Sequence, residues 1–437
     1  MTEIDETGLP TPASIQRIYF TLLLGNTLAA SFIWGINTIF LLDAGLSNLE
    51  AFAANSFFTV GMVLFEVPTG IVADTIGRRV SYLLGTVTLA ATTLLYVFLW
   101  EIEGPFWAWA VVSMLLGLGF TFFSGAVEAW LVDALNATHF EGNLESVFGR
   151  GQIVSGVAML TGSVAGGYIA QVTNLGVPFV LRGVVLLVMF VVAFVLMKDV
   201  GFTPEPSIGI TRGIRRIAGA SIQYGWRVPT VKWIMLASPF TAGVGFYAFY
   251  ALQPYLLELW GNPKAYGIAG LVAAIVAGAQ IVGGIAAPVL RRLFQRRTSA
   301  LLVTALISSI TLVLIGVFER FWVVIALIVV WGLMFAAAMP IRQAYLNGLI
   351  PSQQRATILS FDSMLGSTGG VVVQPVLGRS ADVWGYAGSY ILGGVISALA
   401  LPFILLSRRQ NAPADSAGGD PAAPLEPAVA AALEGES

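Results

Sequence analysis

Apolar stretches of about twenty residues recur along this 437-residue chain, separated by short polar turns. A helix needs a run of about that length to cross a hydrocarbon layer about 30 Å thick. Six runs come at roughly 19–43, 50–73, 80–100, 106–134, 144–172 and 176–197, and a polar interruption follows. Six more lie at roughly 230–258, 265–290, 299–318, 321–349, 354–378 and 386–407. The pattern predicts an all-α polytopic membrane protein with twelve transmembrane helices.

The two sets of six echo one another at a single offset of 215. Phe40-Leu-Leu-Asp43 answers Tyr255-Leu-Leu-Glu258, Gly117-Leu-x-Phe120 answers Gly332-Leu-x-Phe335, and Glu128-Ala-Trp130-Leu answers Gln343-Ala-Tyr345-Leu. This predicts two pseudo-symmetric six-helix bundles, 19–197 and 230–407, after a short cytosolic N-terminus at 1–18. The acidic opening lacks the basic region of a cleavable signal, so the first span is expected to serve as an uncleaved anchor. In the linker, 198–229, Ile210, Ile214 and Ile217 share one helical face while Arg212, Arg215 and Arg216 lie mostly elsewhere. That spacing predicts a basic amphipathic helix on the inner leaflet. Residues 408–437, rich in Ala, Pro, Gly and acids, read as a disordered tail dispensable for transport.

Charge sets the orientation. Alternate loops carry Arg78, Arg79, Arg150, Arg291, Arg292, Arg296, Arg297, Arg408 and Arg409, whereas the opposite loops carry only Lys264, Arg320 and Arg379. By the positive-inside rule both termini are cytoplasmic, in a plasma (inner) membrane. With 57% hydrophobic and 11% charged residues, the chain is too apolar for a soluble globule, where about a quarter are charged. The absence of cysteine excludes disulfides and thiolate chemistry, and with His139 the sole histidine no metal site is expected. The scarcity of Lys and Arg outside loops argues against nucleic acid. No G-x-x-x-x-G-K-[ST] loop occurs, which argues against ATP-driven pumping.

The most informative turn is Gly70-Ile-Val-Ala-Asp74-Thr-Ile-Gly77-Arg78-Arg79, between the second and third spans. Gly70 would admit a neighbouring helix, Gly77 permits the reversal, and Asp74 can accept from a helix N-terminus. The spacing G-x-x-x-D-x-x-G-R-R resembles the loop signature of the major facilitator superfamily, and the resemblance covers about 17–407. In the second half Gly284-x-x-x-Pro288-x-x-Arg291-Arg292 stands at the matching place without the aspartate.

The resemblance implies a substrate cavity between the bundles, lined by the first, fourth, seventh and tenth spans. The polar residues there are Trp34, Asn37, Thr38, Glu128, Trp130, Tyr247, Tyr250, Gln253, Arg342, Gln343 and Tyr345, with Arg182 on the sixth span as an anion contact or a snorkelling residue. A charged side chain at mid-membrane costs about 2.5–3.5 kcal/mol on insertion scales, so it marks function or a partner. Glu128 is the candidate proton carrier and Arg342 its partner. Glu66, Asp74, Arg78, Arg79 and Asp133 form the expected cytosolic gate with Gly70 and Gly77, Glu66 pairing with an arginine.

In the fifth span, Gly156-x5-Gly162-Ser163-x-x-Gly166-Gly167 loosely resembles the glycine signature of the superfamily's drug–proton antiporters, with Ser163 where that pattern has proline. The implied role is close sliding at the half interface. The sequence therefore reads as a monomeric, non-enzymatic secondary transporter working by alternating access. It is expected to use no cofactor beyond the proton gradient and to export small amphipathic or cationic compounds in multidrug-type efflux. The alternatives are proton symport of a small anionic or neutral nutrient, lipid translocation, or a non-transporting sensor.

Overall fold

The computed structural model describes residues 10–204, 226–350 and 355–416. The linker helix expected around Ile210–Ile217 and the tail from 417 onward lie outside the described residues.

Helix α1 (Pro12–Trp34) starts where the Thr11 side chain accepts the Ser14 N–H at 3.3 Å, with proline at its first position. A 47° bend separates it from α2 (Asn37–Asp43). Helix α3 (Asn48–Thr75) opens with a reciprocal capping box between Ser47 and Glu50. Gly77, at φ 137°, turns the chain into α4 (Arg78–Glu101). Helices α5 (Phe106–Thr121) and α6 (Ala126–Ala137) are two parts of one span, parted at Gly125 with φ 70°. Both glycines occupy backbone conformations that a Cβ disfavours. Helices α7 (Leu144–Val172) and α8 (Gly176–Leu196) complete the first set.

The second set comprises α9 (Pro229–Trp260), α10 (Tyr266–Arg292), α11 (Arg297–Val317), α12 (Phe321–Leu349), α13 (Arg355–Ala398) and α14 (Ala400–Arg409). The 52-residue helical stretch from Ile358 to Arg409 is far too long for one crossing. Gly385, at φ 71°, divides them. With the bent first span and this division, the described residues supply the twelve crossings that the pattern predicts.

The helices gather into two compact units. Unit 1 holds the described residues up to 204 together with Leu252–Ile275; unit 2 holds the rest. Within unit 1, α1 lies against α7 and α8, α3 against α5, and α4 against α8. An aromatic cluster of Phe40, Tyr96, Trp109 and Phe179 fills one end, with Phe40 and Phe179 stacked at 4.0 Å between centroids. Unit 1 recruits 252–275 because small residues allow the approach: a Cβ on Gly167 would stand 2.9 Å from Gly270 Cα, and one on Gly35 2.7 Å from it. Large apolar side chains such as Val191 and Phe194 on α8, or Ile285 and Val289 on α10, are exposed and suit a lipid surround.

The start of the tail does not match the expected disorder. Residues after Arg409 turn back onto unit 2, where Ala412 and Ala414 are buried. Arg296 Nη1 donates to Asn411 Oδ1 at 2.8 Å, and Arg297 donates to the Ala414 carbonyl. Asp415 is 2% exposed; its two carboxylate oxygens accept the Thr298 N–H and hydroxyl, both at 2.7 Å, capping the first turn of α11. Composition could not reveal this, because the partners are arginines and an open helix end over a hundred residues away. Asp415→Ala is expected to lose about 1–2 kcal/mol, the upper range for a lost helix cap. Thermal unfolding in lipid nanodiscs checks this, and an unchanged midpoint would contradict the capping role.

Candidate transport site

The loop between α3 and α4 is held by charge from three directions. Arg78 forms an i,i+4 ion pair with Asp74, places Nε 3.7 Å from Asp133, and lies over the Phe202 ring at 5.7 Å. Arg79 donates from its guanidinium to the Phe194 carbonyl at 2.5 Å. Its backbone N–H goes to Asp199 Oδ1 at 2.9 Å, so Asp199, and not Asp74, caps the start of α4. Gly77 has room for this only because it lacks a Cβ, which would collide with the other Asp199 oxygen. Burial pushes the Asp199 carboxyl above its ordinary range, opposed by the Arg79 N–H and by Arg79 and Arg78. Gly70 takes a different place from the expected one: a Cβ there would meet nothing within 4 Å. Glu66 accepts the Ser124 hydroxyl at 2.8 Å, and this replaces the anticipated arginine.

Two breaks at membrane depth organise unit 1. At the bend between α1 and α2, the Gln253 side chain bridges the gap. Its Oε1 accepts the Thr38 N–H at 3.0 Å and its Nε2 donates to the Trp34 carbonyl at 2.6 Å. Gln253 is 3% exposed and Thr38 fully buried, so both serve this junction instead of facing a ligand. Asn37 Nδ2 donates to Asn55 Oδ1 at 3.1 Å beside it.

The second break, at 122–125 between α5 and α6, is of the opposite kind. Ser124 and Gly125 are exposed, as are Glu66, tied to Ser124, and Glu128 in the first turn of α6. Irregular backbone and carboxylates are tolerated at this depth where they line water, not lipid. Glu128 is exposed, and not buried as the sequence led one to expect.

Several aromatic candidates turn out to be structural. Trp130 is 2% exposed and its indole N–H donates to the Lys198 carbonyl at 2.7 Å. Tyr247 is buried with its hydroxyl donating to Ser389 at 2.5 Å, and Tyr345 is buried with its hydroxyl 3.0 Å from that of Ser407. Trp34 and Tyr250 are half-buried, and Gln343 is exposed. Arg182 does not snorkel: it is 2% exposed, with its guanidinium over the Phe120 ring at 5.7 Å. The glycines of α7 divide. Gly162 meets Ser31 and Gly166 the Phe32 carbonyl, both on α1, while Gly167 alone of these reaches Tyr266 and Gly270; Gly156 is half-buried.

Unit 2 holds a half-open cavity of about 170 Å³ among α9, α11, α12 and the last two helices. Its walls include Ile234, Thr241, Leu312, Trp331, Phe335 and Met339, and Arg342 stands at one end. Arg342 is satisfied by Asp362 on α13 through two bonds of 2.5 and 2.6 Å, and also donates to the Ile234 carbonyl at 3.2 Å. This carboxylate, rather than the anticipated Glu128, neutralises the guanidinium within its unit. Asp362 was readable as a lone acid inside the apolar run 354–378, the usual mark of a membrane-embedded partner.

The sequence matches the model of the Major Facilitator Superfamily over residues 18–296 and 238–434. The chain belongs to the major facilitator superfamily. As a superfamily member it is a membrane transporter and not an enzyme, and its mode of action is secondary transport by alternating access. An uncharacterized MFS-type transporter, YxaM of Bacillus subtilis (strain 168), is 23% identical over 412 residues, covering 89% of this chain and 94% of its own. The nucleoside transporter NupG shares the fold at a TM-score of 0.73 with 10% identity, covering 90% of this chain and 98% of its own. The POT family transporter PepTSo does so at 0.69 with 14% identity, covering 91% and 98%. A bacterial homolog of the human lysosomal transporter Spinster reaches 0.67 with 14% identity over 91% and 97%. At these identities the likeness of the superfamily structures is one of fold.

Proposed function

We propose that this superfamily transporter exports small amphipathic compounds, cations among them, in exchange for protons. The observation that carries the reading is the exposed break at 122–125, with Glu66 and Glu128 beside it. Two carboxylates within the spans, neither ion-paired among the described residues, supply negative charge that a proton or an organic cation satisfies in turn. Competition for one carboxylate is the simplest coupling of opposite flows: proton binding releases the cation, and cation binding releases the proton. The membrane is the plasma (inner) membrane, with the arginine-rich loops and both termini on the cytoplasmic side.

Glu128→Gln removes the titratable group while keeping side-chain size. In proteoliposomes with an imposed pH gradient, the variant is expected to lose at least about tenfold of proton-driven uptake of a cationic dye, a loss of about 1.4 kcal/mol or more in coupling. Counterflow without a gradient should persist. Undiminished gradient-driven transport would remove Glu128 from the coupling step. A second reading, proton-linked import of a small neutral nutrient, is favoured by the Arg342 guanidinium in the wall of the unit 2 cavity, whose charge Asp362 already balances.

A further inference from the structure

The cavity inside unit 2 has a chemistry of its own. The hydroxyls of Thr241 and Thr304 donate back to carbonyls of their own helices, so these two lining groups are spent. A cavity of about 150 Å³ is large enough for a benzene-sized guest, and this one measures about 170 Å³. Trp331 and Phe335 form a stacked pair on its wall, 5.4 Å between centroids. Phe335 reaches its position because Gly245 has no Cβ; one there would stand 2.7 Å from the ring.

The other end is a donor. A guanidinium carries five N–H groups. Arg342 uses three, two on Asp362 and one on the Ile234 carbonyl. Among the described residues nothing accepts the remaining two, on a side chain that lines the cavity. Asp362 already balances the charge, so an anionic guest would bring uncompensated negative charge and a cationic one would face the guanidinium. A neutral acceptor fits. Phe335 and Arg342 are seven residues apart, about 10 Å along a helix, the length of one substituted ring.

We propose that this cavity is a binding site for a small neutral aromatic molecule bearing a carbonyl or hydroxyl oxygen. The ring lies against Trp331 and Phe335, and the oxygen accepts one of the two spare Arg342 N–H groups. The site goes beyond the export reading and stands whether or not that reading holds.

The probe is 4-bromoacetophenone, a neutral ketone whose bromine quenches indole fluorescence at contact, added to the full chain in nanodiscs. Eleven tryptophans contribute to the emission, so Trp331→Phe isolates the reporter by difference. Saturable quenching assigned to Trp331 is expected. Ala305→Phe and Ala338→Leu, which each fill the cavity from a different helix, should weaken it at least about tenfold, as should exchanging the ketone for the cation 4-bromobenzylammonium. Should one wall variant fail to fold, the other gives the same test. Quenching that rises without saturation is partition into lipid and overturns the proposal. Saturable quenching that a folded wall variant leaves unchanged also overturns it, and equal affinity for the cation overturns the role given to Arg342. Glu128→Gln should bind the ketone normally even if it no longer couples transport to protons, which separates failure of this site from failure of the export reading.

Discussion

Asp362→Ala is expected to destabilise the protein by about 3–5 kcal/mol, the cost of removing one member of a buried ion pair. The magnitude follows from geometry. The Asp362 side chain is 9% exposed and that of Arg342 22% exposed, and two short hydrogen bonds join them. Deleting the carboxylate leaves a guanidinium in an apolar wall with one carbonyl for company. Replacing both residues by apolar ones of similar size, Arg342→Met with Asp362→Leu, should recover most of the loss, because desolvation offsets much of what a buried pair contributes. Thermal unfolding in nanodiscs gives the comparison. A double variant as unstable as the single would mean that the pair contributes more than mutual neutralisation.

Gln253→Ala comes next in expected size. It removes the acceptor of the Thr38 N–H and the donor to the Trp34 carbonyl, at a bend where the helix itself supplies neither. Each orphaned buried group costs about 1–3 kcal/mol. Gln253→Glu is the sharper probe. An ionised carboxylate still accepts from Thr38 but opposes the Trp34 carbonyl, whereas the protonated acid both accepts and donates. The folded state is therefore more stable with this acid protonated than ionised. The variant should lose stability as pH is raised from acid to neutral. The wild type should lack this slope. A pH-independent melting difference between Gln253→Glu and wild type would contradict the bridging role.

The twelve spans were legible because lipid imposes one demand on every helix, a long apolar run, and leaves irregular backbone few places to go. Gly77, Gly125 and Gly385 mark reversals or breaks for the same local reason. Partners were much harder to read. The caps of α4 and α11 come from Asp199 and Asp415, each separated from its helix by more than a hundred residues, so no spacing rule joins them. Trp130, Tyr247 and Tyr345 read as cavity residues in the sequence because a polar aromatic on a membrane helix serves packing and ligand contact equally well. Only the rotation of the helix decides. Gln253 reads in the sequence as one more polar cavity residue, whereas its amide completes a broken helix.

The account stands most directly on one transport measurement. Purified protein is placed in liposomes with an acidic lumen, and lumenal pH is followed as cationic dyes, neutral aromatics, organic anions and sugars are added outside. Substrate-driven proton efflux, saturable and abolished by Glu128→Gln, is the predicted result. Protons moving in the same direction as an added anion or sugar, with cations inert, would contradict export and establish the symport reading in its place.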